Sequence, residues 1–139
     1  ENIIITESTL PDISLNDVKG NKVSLSSFNG SFVILDFTAY KTDFSLQHNE
    51  LLNKIYRTYN SKGLEIYQIS FDSDAHYWKN AASELPWKTV YDPQSVNSSL
   101  LRTYNVRELP TTYILNREGD LIKRIERIES LERDISQLF

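Results

Sequence analysis

Two short apolar runs, residues 32–37 and 64–71, flank a segment whose apolar residues recur at the helical period. Nothing else in the sequence constrains the fold as strongly. Runs this short, bounded by turn residues, read as strands buried on both faces. Between them Phe44, His48, Leu51, Leu52, Ile55 and Tyr59 fall at i, i+4, i+7, i+8, i+11 and i+15, one stripe of an amphipathic helix. Thr42 or Asp43 is placed to cap its start, and Gly63 lies just past its end. Strand, helix, strand with short connections predicts a right-handed parallel crossover.

The rest of the chain extends this alternation. Residues 12–16 and 22–25 are short alternating segments around Lys19-Gly20-Asn21, which reads as a hairpin turn. Asp72-Ser73-Asp74 is a cap for a second helix carrying Trp78, Ala81 and Ala82, stopped at Leu85-Pro86-Trp87. A short strand over 88–91 and a short helix over 96–104 follow. Residues 111–115 and 121–125 are strands joined by a turn containing Gly119, so they should pair antiparallel. Ile128, Leu131, Ile135 and Leu138 give a closing amphipathic helix. The expectation is an α/β fold with a central mixed sheet of four or five strands, helices on both faces and an N-terminal hairpin. Residues 1–9 read as a lead-in and 10–139 as a single domain, expected to be the C-terminal part of something longer. The chain has no methionine, initiator included, so a signal peptide, lipid anchor or upstream domain could have been removed.

Composition excludes several function classes. There are no cysteines, which rules out disulfides, zinc–thiolate sites, iron–sulfur clusters and any thiol nucleophile. Fifteen basic against nineteen acidic residues give a net charge of −4, whereas a nucleic-acid binder needs a positive field. No apolar run approaches the roughly 18 residues of a membrane span. Four glycines leave no phosphate-binding loop of the Gly-rich kind.

Leu35-Asp36-Phe37-Thr38-Ala39, between a strand and a helix, resembles the thioredoxin-like proteins. Val106 through Pro110 to Gly119 is similar to that family's cis-proline segment, next strand and turn. Leu10-Pro11-Asp12 through Gly20, Val23-Ser24-Leu25 and Gly30 resembles the N-terminal extension of its TlpA-like and peroxiredoxin-like (AhpC/TSA-type) branch. The resemblance covers the chain from about Leu10 onward. It implies a thioredoxin-like fold, a cis Pro110 and a bacterial cell-envelope or periplasmic setting.

The family's reaction is thiol–disulfide exchange by a Cys-x-x-Cys pair, whose thiolate the helix N-terminus stabilises. Register places that pair on Thr42-Asp43-Phe44-Ser45, with hydroxyls of Thr42 and Ser45 where the sulfurs would stand. Helix-end assistance of about 0.3–2 kcal/mol is small against the roughly 1.4 kcal/mol per pKa unit needed to ionise an alcohol. In a peroxiredoxin register Lys41 occupies the thiol position. Exchange chemistry is therefore absent. Either both cysteines were replaced by engineering, or the site is naturally degenerate. The altered neighbours Lys41, Asp43 and Phe44 favour the second.

No catalytic residue and no cofactor is assigned. The resemblance offers a peptide groove formed by Tyr40, Asp43, Phe44, Leu109 and Pro110, taking an extended peptide or partner protein through backbone hydrogen bonds. Against it, the cis-proline could shape the loop alone and Phe44 could be core. Asp36 matches the acid that serves the inner thiol in the family. Here it is expected to be a leftover polar group bonded to water or Lys41, with its pKa raised if buried without a charge partner. His48 reads as a structural histidine. Asp72, Asp74 and His76 could be metal ligands but fit helix capping better. The leading expectation is a redox-inactive module with an interaction or structural role. The alternative is an enzyme of unrelated chemistry using Asp36, Ser45 or His48 in the same cleft, a reading that fails if the three point to separate environments.

Overall fold

A computed structural model describes residues 11–139. The lead-in 1–9 and Leu10 lie outside the described residues. The hairpin forms β1 (Ser14–Asn16) and β2 (Lys22–Ser24), with Gly20 at φ +83° taking the left-handed turn position that a side chain would disfavour. The first apolar run becomes β3 (Phe32–Thr38) and the periodic stripe becomes α1 (Ser45–Tyr59). A 3-10 turn over Asn60–Lys62 ends at Gly63, left-handed at φ +108°, before β4 (Leu64–Ser70). Then come α2 (Ala75–Ala82), β5 (Lys88–Tyr91), α3 (Ser99–Thr103), β6 (Thr111–Leu115), β7 (Leu121–Ile125) and α4 (Leu131–Ser136).

The strands form one sheet in the order β2-β1-β5-β4-β3-β6-β7. β3, β4 and β5 run parallel, and β6 and β7 are antiparallel. These five match the upper expected count. The hairpin does not stand apart: Asn16 pairs with Tyr91 and extends the sheet to seven strands.

Alternation along the strands builds two cores. Leu35, Phe37, Tyr67, Ile69 and Tyr113 face one side, over which Leu100, Leu101 and Tyr104 pack. Ile34, Ile66 and Ile114 face the other, against Leu52 and Ile55 of α1 and Leu131 and Ile135 of α4. Two expected helices are shorter than their apolar spacing suggested. Ser98, extended at ψ 136°, breaks the 96–104 segment and caps α3 through the Leu100 amide. The closing segment starts as a 3-10 turn over Ile128–Ser130 before α4.

Candidate functional site beneath the first turn of α1

The apolar sheet face under α1 turns polar at one level. The register aligns Thr112 of β6, Asp36 of β3, Gln68 of β4 and Thr89 of β5 in a single row. All four are buried. One row toward the strand amino ends, the same face carries Ile114, Ile34 and Ile66. A row of buried polar groups is stable only if each finds a partner. His48 comes down from α1, and its Nε2 lies 2.9 Å from both Oδ1 and Oδ2 of Asp36. Thr112 Oγ1 donates to Asp36 Oδ1 at 2.7 Å and Gln68 Nε2 to Oδ2 at 2.9 Å. Gln68 Oε1 accepts from Trp87 Nε1 at 2.9 Å and from the Tyr40 hydroxyl at 2.6 Å. Gln68 Nε2 also donates to Asn49 Oδ1 of α1.

This overturns the expectation for Asp36. It is 0% exposed and bonded to His48, Gln68 and Thr112, not to Lys41. The Lys41 ammonium lies 5.2 Å from the Tyr77 ring centroid instead. The condition of burial without a charge partner is not met, because His48 is that partner. Burial lowers the proton affinity of the His48 ring, but the Asp36 charge and hydrogen bond outweigh it, and the pKa lies above the ordinary 6.5. The Tyr40 phenol is held well above its usual 10 by burial, with the Asp36 and Asp72 charges adding to it.

The turn joining β3 to α1 is held from below. Asp72 Oδ2 accepts from the Tyr40 amide at 2.8 Å and Oδ1 from the Lys41 amide at 2.9 Å. Ser70 Oγ donates to Asp72 Oδ2 at 2.6 Å. Asp72 is thus drawn to the turn, while Asp74 alone caps α2 through the His76 amide. His76 Nε2 lies 3.1 Å from Asn80 Nδ2. The three residues weighed as metal ligands are committed to separate partners.

Neither Thr42 nor Asp43 caps α1, as the sequence suggested. The cap position is Phe44, with no side-chain hydrogen bond. Thr42 Oγ1 donates to the Ala39 carbonyl at 2.9 Å and closes the turn instead, while Asp43 is exposed. Ser45 is buried, and its amide donates to the Thr42 carbonyl. Among the described residues the Ser45 hydroxyl makes no hydrogen bond to His48 or Asp36. Asp36 and His48 therefore meet as an acid and an imidazole, but Ser45 does not join them.

The Leu109–Pro110 bond is cis. It lies at the amino end of β6, whose first residue Thr111 pairs with Phe37, so Pro110 and the 39–44 turn share one end of the sheet. Phe44 is half-buried, its ring edge-on to His48 at 6.3 Å. Tyr40 and Pro110 are also half-buried, and Leu109 packs on the opposite core while remaining partly open. Among the described residues the Leu109 amide and carbonyl make no hydrogen bond within the chain. Sequence reasoning missed Gln68, Asn49, Thr112 and Trp87. A glutamine inside an otherwise apolar strand was the available signal, since a buried amide demands partners.

Comparison with known proteins agrees with this geometry. The AhpC/TSA family model matches residues 6–124. The solution structure of an uncharacterized thioredoxin-like protein from Bacteroides vulgatus superposes with TM-score 0.86 at 43% identity, covering 99% of this chain and 90% of that one. The thioredoxin domain of a thiol-disulfide oxidoreductase from the same organism gives TM-score 0.85 at 28% identity over 98% and 99% of the two chains. Thiol-disulfide oxidoreductase ResA of Geobacillus kaustophilus is 29% identical over 94% of this chain and 74% of its own length. The fold is thioredoxin-like.

Proposed function

The chain belongs to the AhpC/TSA family, and from that premise we propose that it is a redox-inactive thioredoxin-like module that holds an extended peptide of a partner protein beside Pro110. One observation carries the reading. The scaffold keeps the cis-proline and a firmly anchored β3–α1 turn, yet the chain has no sulfur to react. Thr42 and Ser45, at the positions of the family's thiols, remain un-ionised near neutral pH. The Leu109 amide and carbonyl, unbonded among the described residues, suit pairing with an extended strand, and Phe44, Tyr40 and Pro110 supply apolar walls. Asp43 adds an exposed charge at the rim. The bacterial thiol-disulfide oxidoreductases among its relatives support a cell-envelope or periplasmic setting.

Two measurements test this. A disulfide-reduction assay on the protein should give no turnover, and clear turnover would refute redox inactivity. Affinity capture from the source cell should return a partner whose retention falls at least about tenfold with Phe44→Ala, the loss of about 1.4 kcal/mol expected of one buried anchor. Unchanged retention would remove the groove.

A further inference from the structure

We propose that the Asp36–His48 pair is a proton-operated switch under the peptide groove, taking the place of the lost redox couple as the device that sets the groove's state. The inference rests on the groove reading above. It begins with donors and acceptors. Trp87 Nε1 can only donate, so the Gln68 atom it meets is the carbonyl Oε1. The other end of that amide is then the NH2 group, and it donates to Asp36 Oδ2. Asp36 Oδ1 receives the Thr112 hydroxyl, and His48 Nε2 reaches both oxygens. Among the described residues Gln68 and Thr112 each donate to one Asp36 oxygen, and the His48 imidazole is the facing group able to share a proton with the carboxyl. A fully buried anion needs a buried counter-charge.

Among the described residues His48 is the basic side chain that meets the Asp36 carboxyl. The charged group facing the ring is Asp36 from β3, while the Tyr40 phenol, from the turn after β3, is engaged by Gln68. From β4, β6 and the segment before β5 come Gln68, Thr112 and Trp87, all uncharged. The proposal places a proton on Nε2, facing Asp36, in both states of the ring. The titrating proton is then the one on Nδ1, which makes no hydrogen bond to the described residues. The raised pKa of His48 agrees with this assignment.

The link to the groove is direct. The His48 amide donates to the Phe44 carbonyl at 3.0 Å, and the two rings meet edge-on. Protonated, His48 neutralises Asp36 and draws the first turn of α1 onto β3. Deprotonated, it leaves a buried carboxylate without counter-charge, and that inward pull on Phe44 weakens.

The test is imidazole and amide NMR of the whole chain from pH about 5 to about 9, spanning the histidine range. Nε2 of His48 should stay protonated throughout, and Nδ1 should titrate with a midpoint above 6.5. The amides of Phe44, Ser45 and Leu46 should shift with the same midpoint. Asp36→Asn should move that midpoint below the wild-type value. A ring protonated on Nδ1 alone, a ring neutral at pH about 6, or flat amides at the start of α1 would each overturn the switch. No partner enters this experiment. If His48 titrates as stated but capture fails at every pH, the groove reading falls and the proton-binding pair stands. If capture succeeds with no change across the midpoint, the switch falls and the groove stands.

Discussion

Three side chains converge on the Asp36 carboxyl in the middle of the sheet, and one of them is an imidazole that can carry a positive charge. Gln68 is the joint of that network, with both ends of its amide used twice. Gln68→Leu preserves bulk but leaves the Trp87 indole N–H and the Tyr40 hydroxyl without their acceptor. Each such loss costs about 1–3 kcal/mol, so urea unfolding should show a drop of several-fold more than a surface change. The pair also sets a pH dependence. The folded-state pKa of His48 lies above its unfolded value of about 6.5. Its contribution is therefore complete below about 6.5 and is lost as pH rises through the folded-state pKa. Wild-type urea midpoints should converge on those of His48→Gln as the pH is raised toward 9 or so, and parallel curves would contradict the linkage. Sequence reading placed Asp36 at a strand end and His48 on the inner helical stripe. It did not pair them, because His48 lies twelve positions after Asp36, on another element, and only the crossover brings them together.

At the scale of elements, the β3–α1 turn is shaped by its anchor more than by its own residues. Asp72, from the far side of β4, fixes the Tyr40 and Lys41 amides with two charge-assisted bonds. Asp72→Ala should speed hydrogen exchange at those two amides by at least tenfold while leaving the core of β4 protected, and unchanged exchange would show that the turn holds itself. Asp74→Ala, by contrast, should cost only about 1 kcal/mol, the ordinary value of a lost N-cap. The frame of α1 also makes a gain-of-function prediction. Thr42→Cys with Ser45→Cys places one thiol in the turn just before α1 and one on its first residue, beside the helix end that favours a thiolate. Thiol titration after mild oxidation should find no free sulfur, and insulin reduction should become measurable. Periodicity located α1 because its packing stripe is local in sequence. Its cap was misjudged because Thr42 is claimed by the Ala39 carbonyl, a competition that residue type does not reveal.

Across the whole molecule, the seven strands share one sheet but not one level of support. β3 and β4 lie at its centre with every hydrophobic side chain buried or nearly so, whereas β1 and β2 reach β5 through a single pair, Asn16 with Tyr91. The Tyr67 hydroxyl adds a tie to the Val23 carbonyl at 2.7 Å. Native-state hydrogen exchange should release the hairpin before the centre, and Tyr67→Phe should widen that gap by about 0.5–1.5 kcal/mol. Strand and helix order, the parallel crossover and the lack of thiols are legible in the residues alone. Each of these depends on local periodicity or on which atoms a side chain contains. Packing brings Asp36, His48, Gln68 and Thr112 into one buried network and sets Asp72 beneath the turn above it. Those contacts join residues from different elements, and strand register and helix rotation fix them only once the sheet has closed.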